Sequence, residues 1–214
     1  MRGLRINPVY LCCLLVILSM LAQCQQPQNT SQIIRNGDAQ LENYLHLIKT
    51  KRVGLITNHS AVIDSIHLVD LLLNQGVEIG AIYSPEHGFR GAISDGVRIE
   101  NERDAKTGIP IVSLYGSSKK PTPESLEGIE ILVFDIQDVG VRFYTYISTL
   151  SYSMEAAAEM NIPFIVLDRP NPHTGYVDGP VLDTAYTSFI GLHKVPVVYG
   201  MTIGEYAKMV HGER

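Results

Sequence analysis

Cysteine is scarce in this chain, at three in 214 residues. Cys12 and Cys13 lie inside an apolar N-terminal run, and Cys24 follows it. No spaced set remains to build a disulfide framework or a thiolate zinc site, so the fold must stand on its hydrophobic core. Apolar residues, at 45%, suffice for one. Several signature patterns are missing as well. There is no Gly-x-Gly-x-x-Gly, no Gly-Lys-Ser/Thr phosphate loop and no His-Glu-x-x-His pair. A nucleotide or nicotinamide site is therefore disfavoured, and no metal or cofactor is expected. Positive charge is also in short supply, with a formal net charge of −5. That speaks against electrostatic binding of nucleic acid and leaves small-molecule or glycan ligands open.

The N-terminus reads as a targeting segment. Arg2 and Arg5 precede an apolar run over 9–22, too short for a membrane span. It ends in Leu21-Ala22-Gln23-Cys24, which looks like the lipobox of bacterial lipoproteins, with Gln23 where a small residue is usual. The expectation is a signal peptide over 1–23, a lipidated Cys24, a polar tether over 24–38 and one domain over 39–214. Such a protein is exported and faces the periplasm or cell surface, touching the membrane through its lipid anchor alone. Loss of Arg2 and Arg5 takes the formal charge from −5 to −7.

Beyond the tether, apolar runs alternate with helical patterns. Leu41, Tyr44, Leu45 and Ile48 share a helix face over 39–49. Strands are predicted over 52–58, 77–83, 109–115, 129–135 and 163–168, and a short one over 195–199. Asp64 is expected to cap a helix carrying Ile66, Val69, Leu72 and Leu73. Thr122-Pro123-Glu124 reads as the start of a short helix. A longer helix covers 144–160, and Thr202-Ile203-Gly204-Glu205 is a capping-box pattern opening the last one. Near-continuous apolar strands alternating with helices predict an α/β fold: a Rossmann-like, doubly wound, mainly parallel sheet with helices on both faces.

Chemistry-bearing residues gather where these strands end, the place at which open α/β sheets bind ligands. Asn58 closes the first strand. Glu86, His87 and Arg90 crowd into Ser84-Pro85-Glu86-His87-Gly88-Phe89-Arg90-Gly91, more than a turn requires. Glu86 in a partly apolar cleft can carry a proton, or it can pair with Arg90. His87 can share the proton transfer or serve as a structural histidine. Asp135 and Asp138 bracket Gln137, and can orient sugar hydroxyls, bind a divalent cation or simply shape the turn. Arg142 can meet a carboxylate, and Tyr144 and Tyr146 can stack on sugar rings. Asp168, Arg169 and Asn171 stand in the stiff segment Asp168-Arg169-Pro170-Asn171-Pro172, as ligand contacts or as a connector facing water.

Taken together the motifs resemble one family. They are Val53-Gly54-Leu55-Ile56-Thr57-Asn58, Pro85-Glu86-His87-Gly88-Phe89-Arg90-Gly91, Ser113-Leu114-Tyr115-Gly116, Phe134-Asp135-Ile136-Gln137-Asp138-Val139-Gly140, Leu167-Asp168-Arg169-Pro170-Asn171-Pro172 and Gly200-Met201-Thr202-Ile203-Gly204-Glu205. The chain is similar to the exo-β-N-acetylmuramidases of the NamZ-like family. The resemblance implies a Rossmann-like N-terminal domain carrying the active-site cleft, and a C-terminal domain which this chain lacks. It implies release of N-acetylmuramic acid from the non-reducing end of peptidoglycan fragments, with Glu86 as the catalytic glutamate and His87 beside it. Asp135, Asp138 and Asp168 are candidates for a second carboxyl group. Arg90, Arg142 and Arg169 are candidate partners of the substrate's lactyl carboxylate. The competing reading is a lipid-anchored receptor that binds such glycans without cleaving them.

Overall fold

The computed structural model describes residues 34–85, 89–90, 102–116 and 118–212. The expected signal segment, Cys24, Glu86 and His87 lie outside the described residues. A 3-10 turn over Gly37–Ala39 leads into α1 (Leu41–Ile48), and β1 (Arg52–Thr57) follows. A small hairpin of β2 (Val62–Ile63) and β3 (Ile66–His67) runs straight into α2 (Leu68–Asn74). Then come β4 (Glu78–Ser84), β5 (Glu102–Arg103), β6 (Pro110–Ser113), β7 (Ile131–Asp135), α3 (Tyr146–Glu159), β8 (Phe164–Val166) and α4 (Ile203–Gly212).

The sheet order is β5-β6-β4-β1-β7-β8. Five strands are parallel, and the two-residue β5 is antiparallel at the edge. The order runs outward in both directions from β1, as the Rossmann-like reading requires. Alternate residues of the central strands feed two cores. Val53, Leu55, Ile131 and Val133 meet Tyr44, Ile48, Leu68 and Leu72 from α1 and α2. Ile56, Leu132 and Phe134 meet Ile147, Leu150, Ile203 and Val210 from α3 and α4. Each fully buried aliphatic or aromatic side chain contributes roughly 1.5–3 kcal/mol, so these two layers fix the sheet between helices.

Three local expectations change. Asp64 does not cap a helix: Asp64 and Ser65 both have positive φ, 48° and 72°, and form the two-residue turn between β2 and β3. His67 caps α2 instead, its Nδ1 accepting from the Val69 amide at 3.2 Å. Residues 123–128 stay as turns, although Thr122 and Ser125 exchange capping bonds. The stretch 195–199 joins no sheet; Val198 makes only isolated bridges to Val141 and Asp178. The expected tether also ends early, because Asp38 is fully buried.

Candidate active site

Parallel pairing brings the carboxyl ends of β1, β4, β7 and β8 to one edge. Thr57 stands opposite Asp135 in register, and Ile56 opposite Tyr83. The chain leaves β1 for one side of the sheet and returns on the other at β7, so the crevice of such a sheet opens between them. Half of the buried polar residues among those described cluster there: Thr57, Asn58, Ser84, Asp135, Asp138, Arg169 and Asn171. The path out of β4 through Ser84 and Pro85 leads to Glu86.

The floor of this edge is an ion triad. Arg169 donates from Nε to Asp135 Oδ1 at 2.7 Å and from Nη2 to Asp135 Oδ2 at 3.1 Å. Nη2 also donates to Asp38 Oδ2. All three side chains are almost wholly buried. Burial pushes the Asp135 carboxyl up to about 6 against the opposing pull of Arg169. Burial raises Asp38 too, again opposed by Arg169. Two carboxylates share one guanidinium in a dry space, which favours retention of a proton. Arg169 and Asp135 are therefore each other's partners before they are anything else's. Nothing in the pattern of 24–38 marks Asp38, which only the third dimension reveals.

Around the floor runs a hydrogen-bonded rim. Asn58 Oδ1 accepts from the Ser60 amide at 2.9 Å and its hydroxyl at 2.6 Å, and Ser60 Oγ accepts from the Gln137 amide at 3.0 Å. Gln137 Nε2 donates to the Pro170 carbonyl at 2.9 Å. This chain ties the ends of β1, β7 and β8 together. Asp138 Oδ2 accepts from the Gly140 amide at 2.7 Å and from the Tyr199 hydroxyl. Burial raises the Asp138 carboxyl, with Tyr199 and Gly140 opposing. Asn171 Nδ2 donates to the Met201 carbonyl at 2.7 Å. Among the described residues, Asn58 Nδ2 and Asp138 Oδ1 are buried without a hydrogen-bond partner. Ser60 and Tyr199 escaped the sequence reading, since an isolated serine or tyrosine carries no spacing signal.

Other expected contacts have different tasks. Arg90 gives two bonds of 2.9 Å to Asp104 and bonds of 3.1 and 3.2 Å to Asp70, and it lies over the Phe89 ring. It fastens its loop to α2 rather than waiting for a ligand. Asp168 accepts from the Arg169 and Gly204 amides and from Thr202 Oγ, and so caps α4. The Thr202–Glu205 capping box forms as expected. Arg142 uses Nη1 on the carbonyls of Pro180 and Val195, while Nε and Nη2 have no partner among the described residues. Tyr144 is partly exposed and meets Tyr146 edge-to-face at 5.0 Å. A cavity of about 640 Å³ lies beside β8, lined by Met154, Phe164, Val166, Asp168, Lys208 and His211. It shares Asp168 with the strand-end rim. Among the described residues no three His, Cys, Asp or Glu stand together as a metal site.

Residues 53–214 match the family model described as exo-β-N-acetylmuramidase NamZ, N-terminal. This chain belongs to that family. It is 51% identical over 179 residues to the peptidoglycan β-N-acetylmuramidase NamZ of Bacillus subtilis (strain 168), covering 82% of this chain and 43% of the relative. Two crystal structures of DUF1343 family proteins from Bacteroides fragilis NCTC 9343 align with TM-scores of 0.75 and 0.77 at 45% and 46% identity. Each alignment covers 84% of this chain and 47% or 46% of the other. The chain thus spans less than half the length of these relatives. The α/β, mainly parallel Rossmann-like fold is common ground with them.

Proposed function

We propose that this domain carries the active-site cleft of a glycosidase that releases terminal N-acetylmuramic acid from the non-reducing end of peptidoglycan fragments. The observation that carries the reading is the convergence of polar strand ends on the β1–β7 crevice, with the exit of β4 leading to Glu86. Glu86 acts in proton transfer at the glycosidic oxygen, and His87 is its neighbour in that step. Asp135 and Asp138 shape the crevice from below, because the first is locked to Arg169 and the second to Tyr199. Asn58, Tyr144, Asp168 and Asn171 form or brace its rim. Of the three arginines considered for the lactyl carboxylate, Arg142 keeps two donor nitrogens available, so it is assigned that contact. The membership of the chain in the NamZ N-terminal family supports the same reaction class.

The pattern of Arg2, Arg5, the apolar run over 9–22 and Cys24 supports a further part of the reading. We infer that the protein is exported and anchored by lipid on Cys24. Mass spectrometry of the mature N-terminus tests this; an unmodified terminus downstream of Cys24 contradicts it.

The reaction is tested by supplying a disaccharide with N-acetylmuramic acid at its non-reducing end, and the same sugars in reverse order. Free N-acetylmuramic acid should appear from the first alone. Tight binding of the first without cleavage would instead identify a glycan receptor.

A further inference from the structure

Asp38 lies ahead of residue 53, where the family match begins, yet it is fully buried beneath the strand ends. The segment that carries it is fastened at three points. The Gly37 amide donates to the Asp168 carbonyl at 2.7 Å. The Tyr44 hydroxyl, on α1, donates to the Asp38 carbonyl at 2.8 Å. Asp38 Oδ2 accepts from Arg169 Nη2. The fit is close: a Cβ on Gly37 would stand 2.6 Å from the Asp168 nitrogen and 2.8 Å from the Leu167 carbonyl carbon.

A guanidinium is a planar fork of five donors. Asp135 takes the Nε–Nη2 edge, which fixes the fork along β7. A second carboxylate on Nη2 fixes its remaining freedom. Arg169 neighbours Asp168 and lies two residues before Asn171, and Asp135 lies three before Asp138. The guanidinium thus stands between the two segments that form the lips of the crevice.

We propose that Asp38 is a positioning residue for the strand-end site, holding Arg169 so that it sets the placement of Asp135 and of the rim on either side. The proposal rests on the glycosidase reading above. It makes the segment ahead of the family-model match part of the catalytic apparatus. Charge alone does not account for Asp38, because Arg169 and Asp135 would already balance without it.

That balance also makes the test practicable. Asp38→Ala in the complete protein removes the grip while leaving a neutral Arg169–Asp135 pair, so the variant should fold. Release of N-acetylmuramic acid from the disaccharide should then show kcat lowered about tenfold or more, as misplacement of reacting groups does, with KM within about twofold of wild type. Asp38→Asn keeps an oxygen for Nη2 and should recover most of kcat. Tyr44→Phe, which loosens the segment and keeps the carboxylate, should lower kcat less than Asp38→Ala at unchanged KM. A wild-type kcat per folded molecule in Asp38→Ala, with only the melting temperature altered, overturns the proposal and leaves Asp38 a stabilising residue. If Asp38→Ala does not fold, Tyr44→Phe with wild-type kcat overturns it equally. A wild type that releases no sugar overturns the glycosidase reading itself, and the catalytic role of Asp38 with it.

Discussion

Two carboxylates and one guanidinium share the dry floor of the crevice, and their imbalance is a measurable property of single residues. Arg169→Met would leave Asp38 and Asp135 buried without a counter-charge. Removing one partner of a buried ionic group costs about 3–5 kcal/mol. We expect a loss of that size in denaturant unfolding; an unchanged midpoint would mean the triad is not formed. Acidity offers a second residue-level check. The folded pKa of Asp135 is raised from 3.8 to about 6, so between these values the folded state holds the extra proton. Its contribution to stability is complete below about pH 4 and is lost as pH rises through about 6. Asp104 behaves oppositely, because hydrogen bonds from Arg90 hold its carboxyl down to about 2. Its contribution is present above about pH 4 and is lost as pH falls toward 2. Asp135→Asn should flatten the stability profile between pH 4 and 6, and Asp104→Asn between pH 4 and 2. The reverse assignment of slopes would contradict both environments.

At the scale of elements, the turn after β7 is the tightest joint in the site. Gly140 has φ of 80°, and a Cβ there would stand 2.1 Å from Asn171 Oδ1. Gly140→Ala combines a left-handed backbone with a clash against a rim residue, each a source of strain worth about 1–3 kcal/mol. We expect a lower melting temperature and lower activity together; a variant with neither change would show that the turn is looser than described. The strands of this sheet were legible in the sequence because each is a short apolar run bounded by turn residues. The capping box at Thr202 and Glu205 was legible because its partners are local. Asp64 misled for the same reason: a residue suited to cap a helix is equally suited to a hairpin turn, and the pairing of Val62 with His67 decides between them. Residues 195–199 look like a strand, yet no edge is offered to them. Asp38, Ser60 and Tyr199 act on partners 131, 77 and 61 positions away. No local pattern encodes such distances.

The described residues form a sheet between two helical layers, with the polar residues at its strand ends spent mainly on holding those ends together. Arg90, Asp135, Asp168 and Arg169 all read as ligand contacts from sequence, and all have protein partners in the fold. What remains for chemistry is the exit of β4 toward Glu86, and Arg142 with two donor nitrogens that have no partner among the described residues. On the proposed reading, proton transfer falls to Glu86, with Asp135 and Asp138 held by Arg169 and Tyr199. The most direct measurement is the turnover of Glu86→Gln in the complete protein on a chromogenic N-acetyl-β-muraminide, with sugar binding measured alongside. The amide is nearly isosteric, so folding and binding of N-acetylmuramic acid should persist while turnover falls by about 10²-fold or more. Turnover near that of the wild type would contradict the account and return the search to Asp135, Asp138 and Asp168.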